Sequence, residues 1–236
     1  MSSRSVLGFV LIGALQMTAA NSIAASLEVV PTTLELPAKG GPAQLRLVNH
    51  GDKPVNVQIE TLAWKQDGTE SLTDSDEVAL SPPFAHLDAQ SSQIVRLLLP
   101  PSTLPEQERA FRIVVTQLPD PDDRESGTHV LLQFSVPMFA GDGKAPSLSW
   151  ALHRNGNGLT LEASNQGNMR AKFTNLELVS PDGIHQPVST HGLVYVLAGA
   201  KRTWTISSFA TSNSFKLEGD DDSAMRRFSI PLAITD

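Results

Sequence analysis

The sequence contains no cysteine. One absence thus removes a disulfide framework, a thiolate metal site and a cysteine nucleophile, and leaves the fold to its apolar cores. Positive charge is also scarce. The chain carries 18 Lys and Arg against 25 Asp and Glu, a formal net charge of −7, which argues against a nucleic-acid partner. No G-x-S-x-G elbow and no P-loop occurs. The histidines His50, His86, His129, His153, His185 and His191 are scattered over separate turns and strands without metal-ligand spacing. Neither Asp220-Asp221-Asp222 nor Asp74-Ser75-Asp76-Glu77 has the spaced ligands of a calcium loop. These absences describe a protein that is not an enzyme, with no metal, no cofactor and no small-molecule substrate. A hydrolase would have to assemble its site from dispersed residues.

The chain opens with Arg4, an apolar run from Val6 to Leu15, and small residues ending at Ala24 and Ala25. That layout predicts a cleaved secretory signal peptide over residues 1–25, its apolar run being too short to span a bilayer. No second run of spanning length follows, so export as a soluble protein is expected. Roughly 210 residues remain, enough for two small domains.

Those residues read as short strands with no amphipathic helix. Extended segments are predicted at Ser26–Leu36, Ala43–Val48, Val55–Thr61, Val78–Leu80, Gln93–Leu99, Phe111–Val115 and Val130–Phe139, about one every ten residues early on. From Asp67-Gly68 to Glu77 no periodic pattern survives, and a polar loop is expected. Seven strands at this spacing predict an immunoglobulin-like β-sandwich over residues 26–140. Residues 141–146, Gly-Asp-Gly-Lys-Ala-Pro, form a linker by composition. Strands resume at Leu148–His153, Leu159–Ser164, Ala171–Val179, Gly192–Leu197, Arg202–Ile206 and Arg227–Ile234, so residues 147–236 form a second β-sandwich domain, with Asp220–Asp222 in its last loop. Asn155-Gly156-Asn157-Gly158 predicts a tight hairpin between the first two.

Val130–Phe139, V-L-L-Q-F-S-V-P-M-F, is the most informative stretch. Its even phase, Val130, Leu132, Phe134, Val136 and Met138, is apolar without a break. Pro137 offers no N–H to a ladder, which places that end of the strand at a sheet edge. A long apolar edge attracts other strands. Either a neighbour in the same chain covers it or another protein does.

The ordered set formed by Trp64, Ser81-Pro82-Pro83-Phe84, Gln93-Ile94-Val95-Arg96, Phe111-Arg112-Ile113, Ser135-Val136-Pro137-Met138-Phe139, Trp150, Asn165-Gln166-Gly167-Asn168 and Gly192 to Gly199 resembles the periplasmic pilus chaperones of the chaperone–usher pathways, and most of all their archaic branch. The resemblance implies an all-β protein of two immunoglobulin-like domains in a boomerang arrangement, located in the periplasm. It implies pilus or fimbrial subunits and an outer-membrane usher as partners. Each subunit would be completed by a strand that the chaperone contributes. The subunit-binding strand would be the Val130–Phe139 stretch, with Val130, Leu132, Phe134, Val136 and Met138 filling the subunit and Leu131 and Phe139 serving as core. In the better-known branch an Arg on the first strand and a Lys on the contributed strand hold the subunit's terminal carboxylate. Those positions are Pro31 and Pro137 here, so Arg112, then Arg109 and Arg96, become the candidate anchors, since a guanidinium can bond both carboxylate oxygens. The alternative is a secreted structural or adhesive two-domain β-sandwich protein.

Overall fold

The computed structural model describes residues 27–37, 39–100, 107–120, 130–156, 158–189, 193–207, 212–222 and 224–235. The signal-peptide expectation, His129 and His191 lie outside the described residues. Among those described, the regular structure is strand and no helix occurs, as expected.

Among the described residues nine strands precede the proposed linker: β1 Leu27–Val30, β2 Leu34–Leu36, β3 Gly41–Asn49, β4 Val55–Asp74, β5 Ala79–Ser81, β6 Phe84–Leu87, β7 Ser92–Leu99, β8 Arg109–Leu118 and β9 Gln133–Ala140. One sheet runs β1-β3-β7-β5, and the other runs β4-β8-β9-β2 with β6 on the free side of β4. The two-residue period sets the contact between them. Leu45, Leu47, Val95, Leu97 and Leu99 point inward from the first sheet onto Val57, Ile59, Phe111, Ile113 and Val115 of the second. Pro31 stands where the chain changes sheets: β1 pairs with β3, whereas β2, three residues beyond Pro31, pairs in parallel with β9.

Eight described strands follow: β10 Leu148–Asn155, β11 Gly158–Asn165, β12 Ala171–Val179, β13 His185–Pro187, β14 Leu193–Val196, β15 Lys201–Ile206, β16 Ser214–Asp221 and β17 Arg226–Thr235. They close a second core around Leu152, Leu161, Phe173, Leu178, Val196 and Leu217. Asn155 faces Gly158 across the β10–β11 hairpin, with Gly156 at φ 58°. Each sandwich contains the same side-chain device. The Asn49 amide donates to the carbonyls of Lys53, Leu87 and Asp88 at 2.8, 3.2 and 3.0 Å. Asn165 donates to those of Met169, Val196 and Leu197 at 2.8, 3.2 and 3.0 Å. Each also accepts the N–H of a glycine two residues on, Gly51 or Gly167.

Two expectations are corrected. The loop expected from Asp67 to Glu77 is strand as far as Asp74, because β4 continues past β8 and pairs in parallel with β15 of the second sandwich at Lys201↔Asp67 and Arg202↔Gly68. Thr69 to Asp74 are exposed on both faces, so no alternation of apolar residues betrays the strand. Asp220 and Asp221 are not loop residues; they end β16, whose inward Phe215 and Leu217 do carry a two-residue period.

Candidate functional site

The edge of β9 is half open. β8 covers one side along its whole length, from Thr116↔Gln133 to Arg109↔Ala140. On the other side β2 pairs only at Met138, Phe139 and Ala140. Among the described residues no strand lies beside Gln133 to Pro137 on that side. Gln117 N–H donates to the Leu132 carbonyl at 2.8 Å, so alternate residues from Leu132 turn their backbone groups toward β8. Gln133, Ser135 and Pro137 therefore turn theirs outward. Pro137 costs no ladder bond on the β8 side.

The side chains of this stretch divide into two lengths. Val136 and Met138 are buried in the first sandwich's own core, Met138 at 0% exposure. Leu132 and Phe134 are half-buried against the rim of that core. Val130 is 77% exposed. The expectation that the whole even phase faces outward is thus corrected at Val136 and Met138, which the strands of the facing sheet cover. The odd phase is corrected at Leu131, which is exposed. Phe139 is buried, but in a third cluster between the two sandwiches.

That cluster is the domain joint. Trp64 from β4, Phe139 from β9, and Tyr195 and Leu197 from the second sandwich pack with ring centroids 5.3 to 5.9 Å apart. The buried Gln66 amide clips across it, donating to the Tyr195 carbonyl at 3.1 Å and accepting the Leu197 N–H at 2.9 Å. Arg170 of the second sandwich lies 3.8 Å from the Phe139 ring and pairs with Glu108 and Glu35 of the first. Burial pushes the Glu108 carboxyl above its ordinary value, and Arg170 pulls it partly back. Gly141 ends β9 against this network at φ 143°; a Cβ there would come within 2.8 Å of the Glu108 Cα. Sequence reasoning singled out Trp64 but not Gln66, Glu108 or Arg170, whose partners are remote in the chain.

The three candidate arginines have separate fates. Arg109 pairs with Glu77 beside a cavity of about 290 Å³ at the joint. Arg96 is exposed on the outer face of the opposite sheet, between Gln44 and Ser81, and is not brought together with the other two. Arg112 stands opposite Pro137 and Leu62 in the sheet. Its guanidinium lies 3.7 Å from the Trp64 ring, and it makes no ion pair among the described residues. Burial lowers its pKa, opposed by Glu70 and Tyr195 and reinforced by Arg202; it remains a cation at any physiological pH. A half-buried guanidinium with an apolar floor and no carboxylate of its own is suited to receive one.

Comparison with known proteins agrees with this geometry. Residues 26–140 match the family described as pili and flagellar-assembly chaperone, PapD N-terminal domain. The probable fimbrial chaperone YehC of Escherichia coli (strain K12) is 27% identical over 151 residues, which cover 58% of this chain and 62% of that relative, under two thirds of its length. A chain in the archaic chaperone–usher CsuC-CsuE chaperone–tip subunit pre-assembly complex of Acinetobacter baumannii superposes with a TM-score of 0.70 at 23% identity, over 90% of this chain and 100% of that one. A chain in the complex of the Salmonella enterica SafA pilin with the SafB chaperone superposes at 0.58 and 17%, over 89% and 97%. These two likenesses show the shared fold of two immunoglobulin-like sandwiches. The matched family is one of chaperones rather than a class of enzymes, and residues 26–140 of this chain match its N-terminal domain.

Proposed function

We propose that this protein is a periplasmic chaperone of the archaic branch, which stabilises pilus subunits by donor-strand complementation and delivers them to an outer-membrane usher. The observation that carries the reading is the half-open edge of β9, where Gln133 to Pro137 have a strand partner on one side only. A subunit strand laid along that edge gains backbone hydrogen bonds that do not depend on its sequence. Val130, Leu132 and Phe134 fill the subunit, while Val136 and Met138 are the buried continuation that holds the strand in place. Each large apolar side chain removed from water contributes about 1.5 to 3 kcal/mol gross. Leu132 and Phe134 contribute less, being half-buried already, and ordering costs reduce the net. Pro31 and Pro137 in place of the basic pair favour the archaic branch.

Arg112 is the proposed anchor for the subunit's terminal carboxylate. A hydrogen bond to a charged group contributes about 1.5 to 3 kcal/mol net, so its loss weakens capture roughly 10- to 100-fold. The test is coexpression with a cognate pilus subunit, followed by affinity recovery of wild type, Arg112→Ala and Arg112→Lys. We expect recovery to fall in Arg112→Ala and to return in part with Lys, which restores the charge but not the two-toothed geometry. Melting curves of the free variants separate this from folding, because the stacking on Trp64 is itself worth about 0.5 to 2 kcal/mol. Normal recovery with Arg112→Ala rejects Arg112 as the anchor.

A further inference from the structure

The two sandwiches end on strands that are held in the same way. β9 is met in parallel by β2 only from Met138 to Ala140, and β17 is met in parallel by β10 only at Leu152↔Ile234 and His153↔Thr235. On its other side β17 pairs with β16 from Asp221↔Arg226 to Ser214↔Ala233. Among the described residues no strand lies beside Arg226 to Pro231 on the β10 side. The Ile234 N–H donates to the Asn213 carbonyl at 3.1 Å, so alternate residues counted back from Ile234, namely Leu232, Ile230, Phe228 and Arg226, turn their backbone groups toward β16. Arg227, Ser229 and Pro231 turn theirs outward.

An edge of this kind draws in a further strand. Phe228 and Ile230 are only half-buried against the second core, as are Leu148 and Trp150 of β10. The Phe228 ring lies 5.6 Å from that of Phe173, so an added strand would extend an apolar layer already in place. A second copy of this chain presents the identical edge. Two β17 strands laid antiparallel about Ser229 set Ser229 opposite its counterpart and Arg227 opposite Pro231, which makes every outward residue a member of a hydrogen-bonded pair. Pro231 breaks that pairing once in each copy, because it has no N–H for the facing Arg227 carbonyl. Its side chain is exposed, so packing against the core gives no reason for a proline there.

We propose that Pro231 keeps the second sandwich from pairing edge to edge with a second copy of this chain. On β9 the proline stands at the buried end of the open length, and Gln133 and Ser135 keep both backbone groups. On β17 it stands within the open length, one outward position beyond Ser229. The same residue type thus leaves one edge usable and interrupts the other. The cost of an unguarded edge falls on specificity, since every copy would offer a self-complementary surface to every other.

The test compares the intact chain with Pro231→Ala, which restores the N–H, and Pro231→Val, which also restores strand propensity. Sedimentation velocity over a concentration series reads self-association, and amide hydrogen exchange reads where it occurs. In wild type the Arg227 and Ser229 amides should exchange freely. One hydrogen bond restored in each copy should tighten association roughly 5- to 150-fold, from two bonds of ordinary net strength, with new protection at Arg227 and Ser229. Adding Ser229→Pro to either variant should return it to wild-type behaviour. Thermal melts confirm folding, and Pro231→Ala carries the test if Pro231→Val does not fold. Folded variants that associate no more than wild type overturn the proposal. It is equally overturned by association that survives Ser229→Pro, by association that protects Gln133 and Ser135 of β9 in place of Arg227 and Ser229, and by protection of Arg227 and Ser229 already present in wild type.

Discussion

Met138→Ala and Val130→Ala should act on opposite properties although both residues lie on one face of one strand. Met138 is wholly buried in the first sandwich, and truncation of such a side chain costs about 2 to 5 kcal/mol. In a domain of this size that lowers the melting temperature by roughly 10 °C or more. Val130, at 77% exposure, has almost nothing to lose in the free protein, so its truncation should cost less than about 0.5 kcal/mol. Once a subunit covers it, the two missing methyl groups are worth about 0.8 kcal/mol each, or roughly 15-fold in affinity. Phe134, half-buried on the core rim, should show part of each effect. Urea denaturation of the free variants gives the stability, and competition for a coexpressed subunit gives the capture. If Val130→Ala destabilises the free protein as Met138→Ala does, the segment is an ordinary interior strand. If it leaves capture unchanged, no strand is contributed there.

The joint makes two further claims. Gln66→Leu removes both arms of the clip and leaves the Leu197 N–H unpaired; we expect a loss of about 1 to 3 kcal/mol, read as faster proteolysis at residues 141–146 in a timed digest. Glu108 has a pKa raised in the folded state by burial, so its contribution is fully present below its unfolded value near 4.5 and is lost as pH rises through the folded value. The stability difference between wild type and Glu108→Gln should therefore fall as pH increases above about 4.5, measured by denaturant midpoints at pH 4 to 7; a flat difference refutes the burial argument.

Much of the strand pattern was legible because inward residues alternate: Leu45 with Leu47, Val55 with Val57 and Ile59, Leu159 with Leu161. The Pro137 end of β9, expected at a sheet edge, lies instead between β8 and β2 from Met138 onward, and the open edge is the preceding length from Gln133. Two things were hidden. Periodicity reports that Val130 and Met138 share a face, but not that the covering sheet ends between them, so the division into an exposed and a buried length had no local signal. The joint depends on contacts such as Gln66 with Tyr195, 129 positions apart, and a single chain gives no sign of which polar residue meets which backbone group at that range. Arg112 stands opposite Pro137 because the start of β8 lies beside the end of β9, whereas Arg96 lies on the other sheet, and adjacency in sequence order does not say which of two sheets a strand joins. β16 was missed although Phe215 and Leu217 alternate correctly.

Pro137 does more than mark an edge; it fixes where an added strand must stop. Backbone groups at Gln133 and Ser135 face outward with both N–H and C=O available, Pro137 is buried and has no N–H to give, and from Met138 onward the edge is already taken by β2. An incoming strand can therefore extend only toward Val130, away from the joint. Its end nearest Pro137 lies beside Arg112, the residue paired with Pro137 across the sheet. A polypeptide whose last residue is placed at Arg112 thus has its register along β9 set from that point, and every apolar side chain it meets, Phe134, Leu132 and Val130, follows at the two-residue spacing of the strand. With Arg112 as the proposed anchor, ladder and anchor would together specify one alignment, whereas the ladder alone would leave a bound strand free to slip by two residues.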